Sequence, residues 1–201
     1  ARRASVFQKL SMLVNIDAMT DETLTLTAHT LVVFIDETGN EDHSDPKNPT
    51  FGRGGCAILG SDYLRVIKKP WRRLKRERLG GANKPFHATA FEQTRPSKRQ
   101  ISGINRFLQQ RFWRFAVMSD IRTVLPAGID VHKAISLVTI RFIARMVAQL
   151  PNVRIVALVF ESSERGDTLV KRDFDLANMR LQNQLGALVE VDGYFMSKST
   201  W

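Results

Sequence analysis

Leu31-Val32-Val33-Phe34-Ile35-Asp36-Glu37-Thr38-Gly39-Asn40 runs from five apolar residues straight into two acids and a Thr-Gly turn. A continuous apolar run of this length reads as a strand buried on both faces. Asp36 and Glu37 then stand where the chain leaves the core. Carboxylates beside a core need compensation, and an oxygen-rich acidic site suits Mg²⁺. If the strand persists, its period of two sends Glu37 to the side opposite Asp36; a turn at Thr38-Gly39 would bring it back.

Working outward, residues 51–59 carry three glycines and end in Cys56-Ala57-Ile58-Leu59, an antiparallel return strand. Ser61-Asp62 caps a helix with Leu64, Ile67, Trp71 and Leu74 at helical spacing, which Pro70 should kink or break and Gly80-Gly81 ends. Residues 82–96 read as a loop around Phe86-His87. Ser97 starts a helix to about Gln110, and residues 112–118 form a third strand. Asp130 opens a long helix to Leu150, apolar nearly all round and so expected to be buried. Residues 153–160 are the second strong strand, and it too ends in an acid, Glu161. An amphipathic helix over 167–184 and a last strand over 188–196 follow. This order predicts an α/β fold, a mixed β-sheet with helices on both faces. Ligand sites in such sheets lie outside the carboxyl ends of the strands, where Asp36 and Glu161 would meet if their strands are parallel neighbours. Residues 1–30 read as a tail or linker, and 31–201 as one domain with a basic helical insertion at about 61–111.

The 201 residues carry 30 Lys and Arg against 20 Asp and Glu, a net charge of +10. The excess lies in one block: residues 61–114 hold 15 Lys and Arg against three acids, net +12. Lys68, Lys69, Arg72, Arg73, Lys75 and Arg76 crowd one helical region whose apolar neighbours can face inward, leaving the cations exposed. Unbalanced cations point to a polyanion, nucleic acid ahead of an anionic membrane surface, since the apolar face is committed to a core. No apolar run is long enough to span a bilayer. One cysteine, Cys56, fits a reducing, cytoplasmic setting and an inert core thiol. The sequence is compatible with a homo-oligomer.

Phe34-Ile35-Asp36-Glu37-Thr38-Gly39 resembles the "IDESG" opening of a large microbial family, domain of unknown function 3800. Gly54-Gly55-Cys56-Ala57-Ile58 is similar to the family's "GGVI" and Phe86-His87-Ala88 to its "LHA". Glu161 falls where the family places an acid at the end of a late strand. Tyr194-Phe195-Met196-Ser197-Lys198-Ser199 looks like the segment before its last motif. That motif, a Gln followed by an Asp on a C-terminal helix, has no counterpart through Trp201, so the helix is expected to be missing here. The resemblance implies a ribonuclease-H-like fold and metal-dependent nuclease activity.

Phosphodiester hydrolysis needs an activated water and a sink for negative charge, which two Mg²⁺ or Mn²⁺ ions about 4 Å apart supply from carboxylates on rigid strand ends. Asp36 is the natural bridging ligand, against a plain strand-end Asp. Glu37 is a ligand or supports one, against a solvated acid. Glu161 is a second ligand, against an acid opening a helix, and Glu164 is a weaker candidate. His87 could shuttle a proton; Ser197 and Lys198 could touch a phosphate, against simple exposure. The expected function is a metal-dependent nuclease acting on RNA or DNA. The alternatives are an inactive or incomplete nucleic-acid-binding or assembly module and, more weakly, a phosphotransferase.

Overall fold

A computed structural model of the chain describes residues 12–13, 24–39, 43, 49–84, 86–120, 122–161, 183 and 189–196. Two short strands, β1 (Met12–Leu13) and β2 (Thr25–Leu26), pair antiparallel with each other. The main sheet holds β3 (Thr30–Gly39), β4 (Thr50–Leu59), β5 (Trp113–Asp120), β6 (Ile155–Glu161) and β7 (Glu190–Met196), in the order β5-β4-β3-β6-β7. The first three are antiparallel neighbours, whereas β6 runs parallel to β3 and β7 parallel to β6. The chain is thus an α/β protein with a mixed five-stranded sheet flanked by helices.

Burial on both faces puts β3 at the centre. Leu31, Val33 and Ile35 pack with Val156, Leu158 and Phe160 of β6 under Ile140, Ile143 and Val147 of a long helix. Val32 and Phe34 point the other way, against Leu24, Leu26, Ala157 and Val159. Leu24 and Leu26, each 2 % exposed, are core residues, so the boundary expected at residue 31 falls inside this packing. β3 is longer than the apolar run that announced it. It continues through Asp36 and Glu37 to Gly39 because β4 pairs with it that far, Gly39 opposite Phe51.

A helical segment covers the second face. It begins as α1 (Gly60–Asp62), widens into a π-helical stretch (Tyr63–Lys68) and continues as α2 (Lys69–Arg78). Tyr63, Val66 and Ile67 pack with Ile58 and Phe112, and Tyr63 stacks on Phe34. Pro70 does not break the segment. It sits in the first turn of α2, directly after a wide turn in which the Lys69 N–H reaches the Leu64 carbonyl; a wide turn and a first-turn position both spare proline its missing donor.

The stretch expected as a loop contains a short helix, α3 (Ala88–Gln93), anchored by rings: Phe86 lies 5.3 Å from both Trp71 and Phe91. Helix α4 (Lys98–Leu108) starts at a capping box in which Ser97 accepts from the Gln100 N–H and the Gln100 side chain accepts from the Ser97 N–H. At Gly103 a methyl would come within 2.7 Å of Leu74 Cδ1, so glycine lets α4 lie close against α2. Asp130 caps α5 (Val131–Ala148) by accepting from the Lys133 N–H. Burial all round α5 does not hold: Val138, Arg141, Phe142 and Arg145 are exposed, because the helix covers one sheet face from outside. The helix expected over 167–184 lies outside the described residues except for Asn183.

Truncation of Leu26 to Ala is expected to cost about 2–4 kcal/mol in a urea unfolding curve. A loss under about 0.5 kcal/mol, the size of an ordinary surface change, would return residues 24–26 to a peripheral role.

Candidate functional site

Asp36 and Glu161 both follow directly on the last paired residues of the β3–β6 ladder. The ladder is parallel and runs from Thr30 opposite Ile155 to Ile35 opposite Phe160. The Glu161 side chain lies outside the described residues. Asp36 is exposed, and its Oδ1 accepts the Glu37 backbone N–H at 2.8 Å. Across β4 its partner is Gly54, where a methyl would meet only the Phe115 carbonyl, at 3.5 Å. No side chain therefore crowds Asp36 from that strand.

Glu37 faces the other way. Its Oε1 accepts from Arg53 Nε at 2.8 Å and from the same guanidinium's terminal nitrogen at 2.6 Å. Arg53 is 3 % exposed, and its other terminal nitrogen donates to Ser136 Oγ on α5. One guanidinium thus ties β4 to β3 and to the covering helix. Removing one partner of such a pair costs about 3–5 kcal/mol, because the other charge is left buried and unpaired. Nearby, Phe51 packs on His132 with ring centroids 4.6 Å apart, and Ser119 Oγ donates to the Phe51 carbonyl and lies 3.2 Å from His43 Nε2. The sequence reading missed Arg53 and Ser136. Its available signal was a lone cation between glycines in a strand otherwise facing a core.

His87 is the exposed, extended residue before α3, held to the helical layer by its neighbour Phe86. Lys198, Ser197 and Glu164 lie outside the described residues. In the basic block Lys69, Arg72, Arg73 and Arg76 are exposed and Lys68 is half-buried. Lys75 departs from the expected exposed face. It is 6 % exposed, on the packed side of α2 with Leu74, and burial, with Arg72 adding to it, pulls its ammonium below the usual lysine range. Arg73 pairs with Glu77 at 2.8 Å and Arg76 approaches it at 3.8 Å. Lys68, Lys69 and Arg72 make no ion pair among the described residues.

Asp36 fits a hard-cation ligand, an exposed oxygen donor where the β3–β6 ladder ends, with Oδ2 making no hydrogen bond among the described residues. Glu37 lies on the opposite face, paired with Arg53. No three His, Cys, Asp or Glu side chains gather into a metal-holding group among the described residues. No described helix is long and apolar enough to cross a membrane. Comparison with protein-family models and with curated proteins finds no match for the chain.

Cys56 is half-buried, and desolvation pushes its thiol up to about 11 despite the nearby Arg114. The folded thiol keeps its proton above the pH at which the unfolded one loses it. Its contribution to stability is therefore present below pH 9 and lost as pH rises towards 11. Replacing Cys56 by Ala is expected to flatten the fall in stability over that window, and native Cys56 should be alkylated far more slowly at pH 8 than the urea-unfolded thiol. Charge reversal of Lys68, Lys69 and Arg72 together is expected to reduce the slope of log affinity for nucleic acid against log salt by about 2 to 3. Reversal of Arg73 and Arg76, already compensated by Glu77, should reduce it less. Equal slopes for wild type and the first variant would make this face a solvated surface.

Proposed function

We propose that the chain is a metal-dependent nuclease of ribonuclease-H-like fold that hydrolyses phosphodiester bonds of RNA or DNA in the cytoplasm, a member of the family its first motif resembles. The observation that carries this reading is the parallel pairing of β3 with β6, in a register where the last ladder pair is followed on each strand by an acid. The order β5-β4-β3-β6-β7, with three antiparallel strands and two parallel ones, is compatible with that fold. Asp36 would hold Mg²⁺ or Mn²⁺ together with Glu161. The bound ion supplies charge stabilisation at the phosphoryl oxygens and lowers the pKa of a bound water. The chain's own part would be to present the Asp36 carboxylate where the β3–β6 ladder ends and to grip the substrate backbone with Lys68, Lys69 and Arg72. Phosphate contacts of this kind set affinity and register and carry no base specificity.

A second reading, a nucleic-acid-binding module without turnover, draws on the Glu37–Arg53 pair, which removes one of the three carboxylates expected at the site. The two readings part on one substitution. Asp36→Asn is expected to abolish Mg²⁺-dependent cleavage of both single-stranded and duplex substrates while nucleic-acid affinity stays near wild type. Tight binding by the wild-type protein with no cleavage in Mg²⁺ or Mn²⁺ would select the binding module. Full activity of Asp36→Asn would refute the assigned role of Asp36.

A further inference from the structure

Arg53 is a buried cation with a strand, a second strand and a helix in its grip, and it sits one residue from Gly54, the residue facing Asp36. Its hold on Glu37 has a geometric consequence. With the Glu37 side chain fixed on the α5 face, strand alternation sends the preceding side chain to the opposite face. The Glu37 N–H is fixed with it, and that N–H is the donor to Asp36 Oδ1 at 2.8 Å. One carboxylate oxygen of Asp36 is thereby pinned and the other left to an incoming group, beside the space that Gly54 leaves open.

The charges argue the same way. Both donors of Arg53 on this side converge on one oxygen of Glu37, at 2.8 and 2.6 Å. A divalent cation on the other oxygen of Glu37 would stand beside the buried guanidinium, and the repulsion between two positive charges rises steeply in a low-dielectric surround.

We propose that Arg53 is a positioning residue for Asp36, acting through Glu37, and that Glu37 is the arm of this clamp and not a metal ligand. The inference rests on the nuclease reading for its catalytic meaning, while the clamp itself is measurable without turnover.

The test combines Mn²⁺ affinity, read from free Mn²⁺ by electron paramagnetic resonance, with the Asp36 carboxyl ¹³C signal of the metal-free protein at pH 7. Glu37→Gln keeps an acceptor for Arg53 and should leave both readouts near wild type. Glu37→Ala and Arg53→Gln should shift the Asp36 signal and weaken Mn²⁺ binding about 10–100-fold, the usual cost of losing a group that orients a ligand. Arg53→Lys, which keeps the charge and loses the fork, should fall between. All variants are compared below their melting transitions, beside Val147→Ala, a core truncation under α5 that lowers stability and should move neither readout. Loss of Mn²⁺ binding in Glu37→Gln as complete as in Asp36→Asn would make Glu37 a ligand and overturn the proposal. Wild-type readouts in both Arg53→Gln and Arg53→Lys would overturn it as well. If the wild-type protein binds no Mn²⁺, the metal-dependent reading falls, and the Asp36 signal alone decides: shifted in Arg53→Gln, the positioning stands; unmoved, it falls too.

Discussion

The central strand continues beyond its own hydrophobic run, and strand alternation then forces two consecutive acids onto opposite faces of the sheet. Each acid meets a different surround. Glu37 turns toward α5 and needs a cation, which β4 supplies from directly across the ladder as Arg53. Asp36 turns toward open space, because its cross-strand partner is Gly54. A buried pair of this kind adds little net stability compared with apolar packing. Its effect here is to set direction: one guanidinium joins β3, β4 and α5 and holds Glu37 on the α5 face.

The basic surface has a similar origin in packing. Leu74 and Trp71 bind α2 into the helical layer, Trp71 through its rings with Phe86 and Phe107, and Gly103 lets α4 approach closely. That anchoring decides which cations face water. Lys75 falls on the packed side beside Leu74, while Lys69, Arg72, Arg73 and Arg76 fall outside. Glu77 then compensates part of the outward charge at Arg73 and Arg76. Within residues 63–77 the outward charge without an ion pair among the described residues lies at Lys68, Lys69 and Arg72, and exposed cations farther along the block, among them Lys98, Arg99 and Arg106, add to the field.

What was legible in the sequence was local. β3 is apolar over 31–35 and β6 over 155–160, and the caps of α4 and α5 are spelled by Ser97 with Gln100 and by Asp130. Each signal is complete within a few residues. The features that escaped reading depend on partners far along the chain. Leu24 and Leu26 look peripheral until β3 and β6 offer them a sheet face. Pro70 reads as a breaker until the wide turn before it is known. Arg53 gives no local signal in its glycine-rich strand; its role depends on Glu37 and Ser136, which the fold brings to it. For the site, the sequence named Asp36 and Glu161 as strand-end acids, yet their adjacency needed the β3–β6 register, which no local pattern encodes.

The two consecutive acids of β3 are compensated differently: Glu37 by a guanidinium, exposed Asp36 by solvent. The Arg53 guanidinium is committed to Glu37 and, on the α5 face, to Ser136. Diverting it to Asp36 would leave Glu37 half-buried and unpaired, so the protein cannot compensate both acids with one cation. Asp36 is open to solvent, and the side that Gly54 leaves uncrowded is where a further group could reach it. On the proposed nuclease reading, a small divalent cation would fit there with the least steric requirement, and a phosphate backbone would arrive with such ions already associated.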